Sequence, residues 1–164
     1  MRATGQPTRA GRRIALPLLA ASILALSFAA VALAATGDLT QKPGTDACIS
    51  ETGTGGLCAD GPALTGAQSV AVSPDGTSAY VASQFSDAVA VFDRDTTTGD
   101  LTQKPGTAGC ISETGTGGAC TDGVALDGAF SVAVPGDGKS AYVASVFSNA
   151  VAVFDRNPTT GALT

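Results

Sequence analysis

Four cysteines stand at Cys48, Cys58, Cys110 and Cys120, a C-x9-C spacing written twice. Thiols so placed can hold a metal or close a disulfide. A four-cysteine zinc site normally uses C-x2–4-C spacing, so the spacing argues against zinc. Four cysteines allow three disulfide connectivities, and the repetition favours Cys48–Cys58 with Cys110–Cys120. Oxygen donors at alternate positions, Asp93-x-Asp95 and Asp155-x-Asn157, resemble the start of a calcium loop. The segment D-R-D-T-T-T-G lacks the third acidic ligand, the loop glycine and the closing glutamate that such a loop needs. Turn capping by the Asp side chains is the expected role, and the same holds for Asp75 and Asp137 in their Asp-Gly turns. Thr52–Gly56, TGTGG, resembles a phosphate cradle but lacks the following GK[ST] and a strand-to-helix setting. The chain has no His. That excludes Ser-His-Asp and Cys-His pairs, an HExxH zinc site and a histidine base. No catalytic residue, cofactor motif or metal set is expected.

The elements that position these residues begin after an export segment. The chain has 164 residues, with 9 Lys+Arg against 14 Asp+Glu and a formal charge of −5. This balance argues against a nucleic-acid partner, which requires a Lys/Arg footprint. Residues 1–13 carry Arg2, Arg9, Arg12 and Arg13 and no acid. Ile14 to Ala32 is almost wholly apolar, and Ala32-Leu33-Ala34 precedes Ala35. A positive n-region, an apolar h-region and an A-x-A site form a secretory signal peptide over 1–34, cut between Ala34 and Ala35. Arg12-Arg13 leaves both the general secretory and the twin-arginine routes open. An uncleaved membrane anchor is the competing reading, since the apolar run is long enough to span. Pro17, the alanine-rich composition and the cleavage site favour removal. Either way residues 35–164 lie outside the cytoplasm, secreted or in the cell envelope, where disulfides persist. That part keeps all 14 acids but only Lys42, Arg94, Lys104, Lys139 and Arg156, a formal charge of −9.

Residues 37–98 and 99–160 align without a gap at an offset of 62, with 48 identical positions, and a third copy begins at Gly161. GDLTQKPGT, CISETGTGG, SAYVAS and AVAVFDR recur intact. Each repeat reads as short strands. Ser69–Ser73 alternates with period 2 and runs into the turn signal Pro74-Asp75-Gly76. Ala79–Ser83 and Ala88–Asp93 follow, and Asp100–Lys104 is a short polar fourth strand. Ala88, Ala90 and Phe92 share one face of the third strand and Val89 and Val91 the other, so both faces require cover. The polar fourth strand suits an edge that meets water. Four-stranded antiparallel sheets stacked radially make a β-propeller. The 62-residue period exceeds the usual propeller repeat of about 40–50, and the surplus falls in 46–65, a cysteine-bearing insertion between blades. Its Gly53, Gly55 and Gly56 predict a floppy loop stapled by its disulfide. The expected class is all-β: two four-stranded blades, an incomplete propeller.

SVAVSPDGTSAYVAS followed by AVAVFDRDTTTGDLT resembles the blade of the YVTN-type and lactonase-like (3-carboxymuconate cyclase-like) β-propeller repeat proteins, many of them secreted bacterial proteins. The resemblance covers essentially all of 37–164, and SPDG-x-x-x-Y-V-x-S is its most specific part. The second copy departs from it with Pro135-Gly136-Asp137-Gly138. Enzymes of the lactonase-like group work from a central pocket with basic residues and, in the cycloisomerase branch, a His. Arg94 and Arg156 are equivalent copies after the third strand, better suited to salt bridges within blades than to a pocket. The function expected is therefore a secreted, non-catalytic binding or scaffold module with disulfide-stapled loops on one face, partnered by an extracellular ligand or protein. The alternative is a lactonase-like or cycloisomerase-like enzyme, or a piece of one, acting on a lactone or carboxylate ring. Two blades also call for self-association or for further blades. Membrane contact is expected only through residues 1–34, if uncleaved.

Overall fold

Each repeat has apolar, β-branched and aromatic segments only five to seven residues long, cut by Asp-Gly and Thr-Gly turns, and such segments pair as hairpins. A computed structural model of the protein describes residues 37–164. The expected export signal and its Ala34–Ala35 cleavage point lie outside the described residues. Thr40–Thr164 form one compact unit. Its strands are β1 (Ile49–Ser50), β2 (Ala59–Asp60), β3 (Ala67–Val72), β4 (Ser78–Ser83), β5 (Ala88–Arg94) and β6 (Leu101–Gln103), then β7 (Cys110–Ser112), β8 (Thr121–Asp122), β9 (Ala129–Ala133), β10 (Ser140–Ser145) and β11 (Ala150–Asp155). Among the described residues no helix is long and apolar enough to cross a membrane.

The first blade is the antiparallel meander β3-β4-β5-β6. The second repeats it as β9-β10-β11, and an antiparallel bridge from Arg156 to Leu163 starts its fourth strand. The outer edge of β5 is shared: its C-terminal half pairs with β6, and Ala88–Ala90 pairs with β7 of the next repeat. The cysteine segment of one repeat thus extends the sheet of the repeat before it.

Period-2 alternation sends Tyr80, Ala82, Val89 and Val91 into a cluster with Val132, Ala141, Val143, Ala152 and Phe154 of the second blade. Ile111 and Leu126 close the same cluster. Ala79, Ala88, Ala90 and Phe92 form a second cluster with Ala63, Cys110 and Cys120, against which Ile49 and Leu64 pack. The fold is all-β and partial-propeller-like, two meander blades stacked face to face with no closed barrel among the described residues. Ile49, Ala63 and Leu64 cover much of the first blade's outer face. The far face of the second blade is bare: Val151 and Val153 are 59% and 65% exposed, whereas their counterparts Val89 and Val91 are 0% and 1%.

Leu126 is fully buried where the blades meet. Leu126→Ala should cost about 2–5 kcal/mol through lost contacts and a residual cavity. Urea unfolding should show a lower midpoint with an unchanged slope.

Candidate functional site

The cysteine segments are built alike. Disulfides join Cys48 to Cys58 and Cys110 to Cys120. Between them a short parallel pairing forms, Ile49 opposite Ala59 and Ser50 opposite Asp60, repeated by Ile111 opposite Thr121 and Ser112 opposite Asp122. The Ser50 and Thr54 hydroxyls lie 2.7 Å apart, as do those of Ser112 and Thr116. The Glu51 carboxylate accepts the N–H groups of Leu64 at 2.5 Å and Thr65 at 3.1 Å, and Glu113 accepts that of Leu126 at 2.5 Å. The expectation of a floppy loop is corrected: a disulfide, a parallel pairing, a hydroxyl pair and a carboxylate fix each segment. The tips, 54–57 and 116–119, are exposed throughout. The two staples differ in setting. Cys110 and Cys120 are buried under β5, while Cys48 and Cys58 are half-buried.

A second constellation joins the blades. The Arg156 side chain is withdrawn from water. Its Nε donates to the Tyr80 hydroxyl at 2.7 Å, and its Nη1 to the Gly138 carbonyl at 2.9 Å. Its Nη2 donates to the Asp75 carboxylate at 2.9 Å and to Ser78 Oγ at 3.3 Å. Tyr80 in turn donates to the Gly161 carbonyl at 2.8 Å. Gly161 has a φ of +70°, and a Cβ there would strike Ser78, so the close approach requires glycine. Burial opposes the charge of Arg156, but the Tyr80 and Asp75 bonds outweigh it and keep the guanidinium protonated. Asp75 is held well below the usual carboxylate range, first by the Ser73 hydroxyl, then by the Thr77 N–H and hydroxyl and by Arg156. Arg94, the repeat counterpart of Arg156, donates to the Gly76 carbonyl at 3.0 Å.

Asp87, Glu113 and Asp127 gather at the rim between the blades. Asp87 Oδ1 accepts the Gly128 N–H at 2.7 Å. Asp127 is raised above the ordinary carboxylate value by desolvation, by the charge of Asp87 and a hydrogen bond with it, and by the charge of Glu113. The calcium-like pairs do turn chemistry. Asp95 Oδ1 accepts the N–H groups of Thr97 at 2.7 Å and Thr98 at 2.9 Å, and Asn157 Oδ1 accepts those of Thr159 and Thr160. Asp93 pairs with Lys104 at 2.5 Å. On the first blade's outer face, a cleft of about 530 Å³ opens among Ile49, Leu64, Val70, Val81, Phe92 and Leu101. Its walls are mostly apolar.

Sequence reasoning assigned Asp75 to its turn and Arg156 to a salt bridge within a blade. The structure pairs them across blades, 81 positions apart. The signal available was the recurrence of Arg after the third strand beside the recurrent Asp-Gly turn and Tyr.

No family model matches the chain, and no curated protein matches it significantly. Solved structures are similar to it in part. An inferred 6-phosphogluconolactonase from Bacteroides fragilis is 25% identical, with a TM-score of 0.49 over 65% of this chain and 26% of its own. Another, from Bacteroides uniformis, is 26% identical, with a TM-score of 0.49 over 65% of this chain and 27% of its own. A protein from Lactobacillus plantarum is 29% identical, with a TM-score of 0.45 over 58% of this chain and 25% of its own. The chain spans about a quarter of the length of these structures.

Asp75→Asn leaves the turn but removes the anion that faces Arg156. It should cost about 1–2 kcal/mol at neutral pH, a value held down by the partial exposure of Asp75. The depressed Asp75 stabilises the fold fully above the ordinary Asp value of about 4 and loses that contribution as pH falls below it. Acid unfolding of wild type and variant should therefore converge at low pH. Asp127→Asn should have the opposite sign. Its raised carboxyl opposes folding when ionised, so the variant should be more stable at neutral pH, with the gain vanishing as pH falls below about 4. Thermal melts across pH check both.

Proposed function

We propose that this chain is a blade pair of a secreted YVTN-type β-propeller protein acting without catalysis, as a binding or scaffold module whose stapled loops form the presenting face. One observation carries this reading: both repeats hold the same loop with the same four restraints and leave the same tip exposed. Ordering a glycine-rich segment costs backbone entropy, and a tip already fixed loses less on meeting a partner. The ligand sought is an extracellular molecule or protein that contacts 54–57 and 116–119. Two disulfides support an extracytoplasmic setting. In this reading residues 1–34 are the export signal, cut between Ala34 and Ala35, and 35–164 are the exported domain with repeats 37–98 and 99–160.

The second reading is a lactonase-like or cycloisomerase-like propeller enzyme, favoured by the resemblance of the blade. Its central basic residues would come from blades other than these, because Arg156 lies between sheets and Arg94 lies in its own turn.

Two measurements test the proposal. Hydrolysis of 6-phosphogluconolactone in the presence of the protein should match the spontaneous rate, and a rate that scales with protein concentration would establish the enzyme reading instead. Protein recovered from outside the cytoplasm should begin at Ala35. Under graded reduction, the half-buried Cys48–Cys58 staple should open before the buried Cys110–Cys120. Intact 1–34 with free thiols in the cytoplasm would overturn secretion.

A further inference from the structure

The meander puts its connections at two ends. The β3–β4 and β5–β6 turns lie at one end, and the β4–β5 loop, 84–87, lies at the other. The cysteine segments reach that loop end, where the Glu113 N–H donates to the Asp87 carbonyl at 3.0 Å and the Phe85 N–H to that of Thr65 at 3.1 Å. Charge is divided between the ends. All five bases of 35–164 belong to the turn end. Lys42 meets Thr98 and Asp100, Lys104 meets Asp93, Arg94 meets Gly76, and Arg156 meets Asp75 and Gly138. Lys139 lies in the turn before β10. Around the loop end stand Glu51, Asp60, Asp87, Glu113, Asp122 and Asp127, with no base among them.

The same end exposes aromatic rings. A Cβ at Gly66 would strike the Phe85 ring, and one at Gly128 the Phe147 ring, so each ring rests on a glycine. The Phe85 loop is held on both sides, by Thr65 of its own repeat and by Glu113 and Gly128 of the next, yet Phe85 is 69% exposed. Phe147 is 57% exposed.

The repeats differ in charge at this end at Thr65 against Asp127 and at Asp87 against Asn149. Both acidic versions fall at the one seam, where Asp87 Oδ1 accepts the Gly128 N–H at 2.7 Å. The other repeat holds a neutral residue at each position, so the fold does not require these acids. It keeps them against mutual repulsion, since Asp87 and Glu113 raise Asp127. Like charges gathered where neutral residues also fold serve something other than stability. Among the described residues no three acids are set around one metal ion. A chain of guanidinium groups suits the surface better, because each can pair with a carboxylate and lie over an exposed ring.

We propose that the loop end of the blades docks a cationic polypeptide segment, arginine-rich and bearing apolar side chains. Its charges meet Asp87, Glu113 and Asp127, and its apolar groups meet Phe85 and Phe147. This rests on the binding-module reading and adds the chemistry of the partner. The charge of −9 on 35–164 steers such a segment toward the chain.

The test uses the full chain with its disulfides closed and a fluorescein-labelled peptide of four Arg-Gly-Leu units, read by fluorescence anisotropy. The peptide should bind, with affinity falling at least about tenfold between about 50 and about 500 mM salt. Peptides of four Arg-Gly-Ser units or four Ser-Gly-Leu units should each bind at least about fivefold more weakly. Three substitutions install the residue that the other repeat carries. Asp87→Asn and Asp127→Thr should each weaken binding at least about fivefold. Asp95→Asn removes the same charge at the turn end and should change binding less than about twofold. No saturable binding of the Arg-Gly-Leu peptide, equal binding of the Ser-Gly-Leu peptide, or an Asp95→Asn loss as large as that of Asp87→Asn overturns the proposal. Unchanged circular dichroism and intact disulfides in each variant separate lost docking from lost folding. Lactone hydrolysis and the N-terminal residue do not enter these readings, so failure here strikes the partner class and leaves the binding-module reading standing.

Discussion

A guanidinium withdrawn from water must find acceptors for its N–H groups, because each one left bare costs free energy. Arg156 meets that demand by drawing on four separate places. These are the turn before β4, the side chain of Tyr80 within β4, the turn before β10 and, through Tyr80, the backbone at Gly161. Dispersion and apolar burial hold the two sheets together without direction. The charged centre supplies direction, since only one sliding and one tilt of the second blade bring all these acceptors into reach. The identity of the turn residues follows: Asp75 serves its own hairpin and the neighbouring blade at once, and Gly161 is small because Ser78 occupies the space where a side chain would go.

The strands were legible because their signals are local. Alternation, β-branched residues and Asp-Gly turns placed all four strands of the first blade within a few residues of their observed bounds. The cysteine pairing was legible from repetition alone. The cysteine segment was misread as floppy, since glycine content is visible in a sequence while the Glu51 and Glu113 carboxylates that tie it down act thirteen residues away. The pairing of Asp75 with Arg156 was hidden for a related reason, as residue types announce a salt bridge but not which copy of a repeat answers which. Burial was the least legible property. AVAVFDR occurs twice with identical letters, yet Val89 and Val151 differ completely in exposure, because a neighbour and not the strand itself decides.

The chemistry of the described residues is correspondingly conservative. Of the oxygen donors that looked able to coordinate, Asp95 and Asn157 accept backbone N–H groups of their own turns and Asp93 pairs with Lys104. The rim cluster of Asp87, Glu113 and Asp127 concentrates negative charge where two blades meet, on a chain part that already carries −9. What remains open to a partner is that rim, the exposed loop tips on a rigid frame, and an apolar cleft beside the first staple.

The shared edge of β5 separates the unit of sequence from the unit of structure. A repeat runs from one GDLT to the next, but a finished sheet takes β6 and β7 from the following repeat. No repeat is therefore self-sufficient, and each is sewn to its successor by backbone hydrogen bonds as well as by side chains. Whole increments of 62 residues, inserted or removed at any point of the period, preserve every seam. A shift by any other length must be absorbed in a loop that no seam uses. Such a chain behaves like a woven strip with a fixed stitch count, in which the permitted edits are set by the weave and not by where a copy is said to start.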